Sequence, residues 1–209
     1  MTAQPAPKPP KPRLLQDGRD MFWSLAPLVL ACIVLAGLVG MCSFSLTGPK
    51  RGPVPAYDAP AQLRADALQL GFPIRQPVLP DGWQSNSGRR GSIDDGRTDP
   101  ATGRPERATT STIGYIAPSG MYVSLTQSNA DEEKLVASFG EDRYPAGARE
   151  IGGVNWVVYE GGEGVEPVWT TRLTGPAGQA QIAITGAGTP EEFTTLATGT
   201  QSQPPLPAK

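Results

Sequence analysis

Hydrophobic positions along this chain fall into two regimes. Between Asp20 and Lys50 no charged residue occurs, and the run from Met21 to Leu46 is almost wholly apolar. Roughly 26 such residues in a helix reach about 39 Å, enough to cross a bilayer core with some tilt. Beyond Lys50 apolar residues recur singly or in short alternations, the mark of elements that each bury one face. The pattern predicts a transmembrane helix over residues 21–46, a linker over 47–57, a folded domain over 58–198, and tails at 1–20 and 199–209.

The apolar run is longer than the core of a cleaved secretory signal, which spans about 7 to 15 residues. Cys42 follows Met41, and Cys32 is followed by further apolar residues, so neither sits in a lipoprotein setting. Both read as small hydrophobes of a retained anchor. Lys8, Lys11, Arg13 and Arg19 precede the run, against Lys50 and Arg51 close behind it. That bias places the N-terminus in the cytoplasm and the domain outside. The Pro- and Lys-rich first 20 residues cannot build a core and read as an extended cytosolic tail. Ala36 and Gly40 have the small-xxx-small spacing that permits a helix-mediated homodimer.

Within the domain, Leu63, Ala67 and Leu70 recur at helical spacing until Gly71 and Pro73, predicting a helix over 59–70. Leu79-Pro80-Asp81-Gly82-Trp83 is a turn into a strand. Residues 86–109 are rich in Gly, Arg and Asp, which predicts a long, mobile surface loop. Ile113 and Tyr115 alternate before Pro118-Ser119-Gly120, and Met121, Val123 and Leu125 after it, a β-hairpin pattern. Ser128 and Asn129, three residues before Asp131 and Glu132, have capping-box spacing for a helix that ends at Gly140. Strands are predicted at 154–160, 168–173 and 179–185, the last two a hairpin through Gly175-Pro176-Ala177-Gly178. Thr189-Pro190-Glu191-Glu192 opens a final helix with Phe193, Leu196 and Ala197 on its buried face. Strands joined by short turns pair antiparallel, so the expected class is α+β, an antiparallel sheet with helices packed on it.

Composition narrows the chemistry. The chain has no histidine, and its 2 cysteines both lie in the apolar run. Ser-His-Asp and Cys-His catalysis are thereby excluded, and a zinc or iron site would rest on carboxylates alone. No metal or other cofactor is expected. Asp94-Asp95-Gly96-Arg97-Thr98-Asp99 lacks the alternating ligands and terminal Glu of a calcium loop. Neither phosphate-binding glycine motif occurs in a suitable context. With 18 Lys+Arg against 20 Asp+Glu, and four of the basic residues ahead of the apolar run, the domain is acidic. An acidic domain argues against nucleic acid. Lys134 and Ser138 share a helical face, but the Asp131-Glu132-Glu133-Lys134 run reads as a surface ion pair. The acids at 131–133 and 191–192 are explained by helix starts, although sequence leaves a carboxylate pair for glycoside hydrolysis open.

The candidate binding residues are aromatic or basic. Trp83, Trp156 and Trp169 are able to form a stacking platform for cell-wall sugars, with a core role in strands as the alternative, favoured for Trp156-Val157-Val158. Arg89 and Arg90 are candidates for anionic lipid headgroups or wall polymers, with plain solvation as the alternative.

Arg19-Asp20-Met21, Leu79-Pro80-x-Gly82-Trp83, Gly114-Tyr115-Ile116-x-Pro118-x-Gly120-x-Tyr122, Gln127-Ser128 and Gly152-Gly153-x-x-Trp156 follow in an order that resembles an actinobacterial family of single-pass membrane proteins, catalogued only as a domain of unknown function. The resemblance spans residues 19–198 and implies a cell-envelope setting without catalytic residues to carry over. The expectation is a membrane-anchored, extracytoplasmic, non-catalytic module that binds an envelope protein or a cell-wall or lipid ligand. A carboxylate-dependent envelope hydrolase is the alternative.

Overall fold

The computed structural model describes residues 18–38, 56–98, 102–103, 105–140 and 142–208; within 18–38 it describes the side chains of Trp23 and residues 25–35. The chain divides into two compact units, Met1–Gly52 and Pro53–Lys209. In the first unit, α1 (Gly18–Leu38) takes up most of the predicted apolar run. Trp23, Leu25, Leu28, Val29, Leu30, Ile33 and Leu35 are all exposed, and their spacing distributes them around most of the helix. Among the described residues no helix is long and apolar enough to cross a membrane. The rest of the predicted span, 39–46, lies outside the described residues, as do the Ala36–Gly40 spacing at the side-chain level and most of both flanks.

The second unit is a seven-stranded antiparallel sheet in the order β1-β2-β3-β7-β6-β5-β4. Its strands are β1 (Gln84–Thr98), β2 (Pro105–Ile116), β3 (Tyr122–Ser128), β4 (Tyr144–Ile151), β5 (Val154–Glu160), β6 (Val168–Gly175) and β7 (Gly178–Gly186). Two meanders, β1 to β3 and β4 to β7, meet where β3 pairs with β7 and Leu125 lies opposite Ile184. The architecture is the α+β class expected.

Strand alternation sorts the side chains onto two faces. On one, Ile113, Leu125, Ile182 and Ile184 meet α2 (Ala59–Gln69) through Leu63 and α4 (Pro190–Gln201) through Phe193 and Leu196. The other carries a smaller cluster, Ala108, Val168 and Ala183 with Leu135 and Val136 of α3 (Glu132–Ala137). Much of this second face is hydroxyl-bearing yet buried, and it is satisfied internally: Thr112 and Thr126 share a hydrogen bond of 3.0 Å, and the Gln181 amide donates to Thr170 at 2.7 Å.

Three expectations are corrected. Residues 86–109 are not a mobile loop but the body of the β1–β2 hairpin, paired from Gln84 opposite Ile116 to Asp94 opposite Arg107. Backbone pairing needs no apolar side chains, and an edge strand solvated along much of its length shows no hydrophobic period to detect. Gly88 lies beneath Tyr57 and Gln62, where an added Cβ would collide with both. Secondly, α3 is capped at Asp131, which makes no side-chain cap bond. Ser128 and Asn129 instead hold the preceding turn to β2, Ser128 Oγ donating to Thr109 O at 2.8 Å and Asn129 Oδ1 accepting from Thr109 N at 2.7 Å. Thirdly, β4 was absent from the sequence pattern; it is an edge strand exposed at all positions but Ile151. Packing also continues past residue 198: Gly199 and Thr200 are buried, and Leu206 rests against the main core.

Between α2 and β1 the chain crosses the sheet face as an extended strap, residues 72–79. Among the described residues no strand pairs with it. Gln127, 1% exposed, supplies one in miniature: its Oε1 accepts from Arg75 N at 2.8 Å and its Nε2 donates to Arg75 O at 2.8 Å. Val78 N donates to Gly199 O at 3.1 Å, and Leu206 N donates to Ile74 O at 2.7 Å. The buried Arg75 side chain reaches Gln203 O at 3.0 Å and Thr174 O at 2.6 Å, while burial lowers its pKa from the usual guanidinium value.

Replacing Gln127 by Leu keeps the volume but strands two buried backbone groups. The expected loss is about 2–4 kcal/mol, measured by chemical denaturation. A loss under about 0.5 kcal/mol shows that the strap does not depend on this clamp.

Candidate functional site

Gly82, at φ +93°, turns the chain so that Trp83 faces β2 just before β1 begins. Its ring meets that of Tyr115 edge-on, centroids 6.4 Å apart at 71°. These rings, the strap residues Gln76 and Pro77, Ser85 and the first turns of α2 enclose a cavity of about 180 Å³. α2 is held there by its cap, Asp58 Oδ1 accepting from Ala61 N at 2.9 Å, and by Tyr57, whose N–H donates to Ser85 O at 3.0 Å.

The cavity is polar in an unusual way. Among the described residues that line it, none is charged. Tyr115 is 5% exposed, and burial pushes its phenol pKa up, so the hydroxyl remains a neutral donor at any physiological pH. Among the described residues, the Tyr115 hydroxyl, the Trp83 indole N–H and the Gln76 amide have no hydrogen-bond partner. Trp156 is the contrast: fully buried, its indole donates to Gln201 Oε1 at 2.8 Å. Two further cavities, one of about 250 Å³ beneath the tail at 204–208 and one of about 390 Å³ beside β4 and β5, have no tryptophan or tyrosine among their described lining residues.

The three tryptophans do not form one platform. Trp156 and Trp169 belong to the core; Trp169 packs on Phe193 at 5.2 Å, with the Arg149 guanidinium 4.8 Å from its ring centre. Trp83 alone lines the cavity. Arg90 pairs with the buried Asp66 and donates to Gln69 Oε1 at 2.5 Å, clipping β1 to α2, whereas Arg89 is exposed. Tyr115 was legible as a strand residue but not as a site residue. The only sequence signal is a tyrosine where Ile, Val or Leu occupy the neighbouring inward positions.

The acids hold structure together. Asp66 also accepts from Ser111, Glu132 accepts from the Tyr159 hydroxyl at 2.8 Å, and Asp131 meets Arg172 at 3.4 Å. Burial, then Glu132, push the Tyr159 pKa up to about 12. Glu192 Oε2 accepts from Thr189 N at 2.9 Å, closing the predicted capping box, and Oε1 accepts from Ser119 N at 3.3 Å. Ser138 Oγ is turned back to Leu135 O at 2.6 Å, and Lys134 is exposed. Among the described residues no group of three potential metal ligands exists.

The family model described as "Protein of unknown function (DUF4245)" matches residues 13–200, and the chain belongs to that family. No curated protein and no solved structure matches the chain.

Glu192 has a pKa held below the usual carboxylate value: partial burial raises it, but hydrogen bonds from Thr189 and Ser119 outweigh that. Its contribution is therefore present above the unfolded pKa, near 4.5, and lost as pH falls through the lower folded value. Glu192→Gln is expected to cost about 0.5–1 kcal/mol at pH 7, with the difference from the parent protein shrinking towards pH 3. A pH-independent difference in melting curves contradicts this.

Proposed function

Taking membership of this family as the starting point, we propose that the chain is a non-catalytic binding module of an actinobacterial cell envelope. It acts at the outer face of a membrane, held there by a single span that begins in α1, with its N-terminus in the cytoplasm. A helix with large apolar side chains exposed around most of its circumference is at home in lipid or in a protein core, which supports the anchor. The ligand belongs to a partner protein of the envelope or to a cell-wall or lipid component.

The observation that carries the binding reading is the uncharged Trp83–Tyr115 cavity with its unpaired hydrogen-bonding groups. Concave, mostly apolar sites with a few polar groups are where ligands seat. The acids near the helix starts are already engaged, which disfavours a carboxylate-dependent hydrolase.

Two measurements test this. A reporter that is active only in an oxidising, extracytoplasmic space, fused after Lys209, is expected to be active; inactivity beside intact protein overturns the topology. In the native host, Trp83→Ala is expected to fail to complement loss of the chain, while Glu132→Gln and Asp95→Asn complement it. Loss of function in one of those amide variants, with the protein folded and abundant, favours the hydrolase instead.

A further inference from the structure

Resting on that binding reading, we infer that the Trp83–Tyr115 cavity takes a proline-rich segment of a partner protein in the polyproline II conformation. The unpaired groups favour an acceptor. An indole N–H only donates, and the neutral phenol of Tyr115 is a ready donor, while Gln76 can do either. With no cation among its described lining residues, a carboxylate or phosphate would be buried uncompensated. A sugar ring brings several hydroxyls that must each donate as well as accept, and only Gln76, Ser85 and Tyr115 among the described lining side chains can accept. An X-Pro amide matches better, since it has a carbonyl acceptor, no N–H, and an apolar ring to set against Trp83, Pro60 and Pro77.

Size points the same way. At about 180 Å³ the cavity is smaller than the roughly 300–1,000 Å³ of sites that engulf a whole ligand, so it seats one or two residues of a longer chain. Polyproline II leaves its carbonyls free of internal hydrogen bonds and is preformed before binding, and aromatic-lined grooves recognise it for that reason. The wall is preformed too, because Gln127 and Gly199 fix the strap that carries Gln76 and Pro77.

The test is a titration of the full ¹⁵N-labelled chain in detergent with acetylated, amidated hexaproline, and separately with chitotriose as a neutral saccharide. Hexaproline is expected to shift the Trp83 indole N–H resonance saturably and to leave the Trp156 indole in place. Tyr115→Phe and Trp83→Phe, which keep a ring at each position, are expected to weaken binding about three- to tenfold. For Trp83→Phe the binding is followed at neighbouring amides, and an unmoved Trp156 resonance shows that each variant is folded. Chitotriose shifting Trp83 where hexaproline does not would leave the binding reading standing and overturn the peptide. Silence to both, at millimolar concentration, overturns the cavity as a site along with its ligand. Binding unaffected by Tyr115→Phe contradicts the donor argument.

Discussion

A buried polar backbone must find partners, and in this domain the demand is greatest where the strap at 72–79 crosses the sheet with no strand paired to it among the described residues. The Gln127 amide answers it by bonding both backbone groups of Arg75, as a strand residue would. Everything near depends on that placement. Once Arg75 is fixed, its guanidinium reaches the β6–β7 hairpin at Thr174 and the end of α4 at Gln203, where helix C-terminal carbonyls favour a cation. Ile74 then accepts from Leu206, Val78 donates to Gly199, and the strap becomes one wall of the Trp83–Tyr115 cavity. At Gly199 even a methyl group would collide with Val78 O, so the close approach of strap and α4 demands glycine.

The cavity thus owes its form to fold energetics and not to a flexible loop. Its rings are set by Gly82 on one side and the register of β2 on the other, while Asp58 and Tyr57 hold the start of α2. A site held by elements that are themselves pinned loses little entropy when a ligand arrives. The Tyr115 hydroxyl and the Trp83 indole line the cavity without a hydrogen-bond partner among the described residues.

Much of the architecture was legible because its signals are local. The capping box at Thr189 and Glu192, the Pro-Ser-Gly turn and the alternation at Val123 and Leu125 each involve residues within a few positions of one another. The polar edge strands β1 and β4 were not, because their stability comes from backbone pairing with β2 and β5, which leaves no period in the side chains. Nor was the choice among the tryptophans. Trp156 is satisfied by Gln201, 45 residues away, and Gln127 reaches Arg75 across 52 residues; no spacing rule relates such pairs. The apolar run itself was legible from hydropathy alone, as such a run needs no tertiary partner to be seen.

Whether Gln127 locks the strap as a fixed wall is read out by native-state amide hydrogen exchange at Arg75 and Val78. If the lock holds, both amides exchange only when the domain unfolds globally, with the same opening free energy as Leu125 in the middle of the sheet. Exchange at Arg75 and Val78 that is orders of magnitude faster than at Leu125, through a local opening, would contradict it.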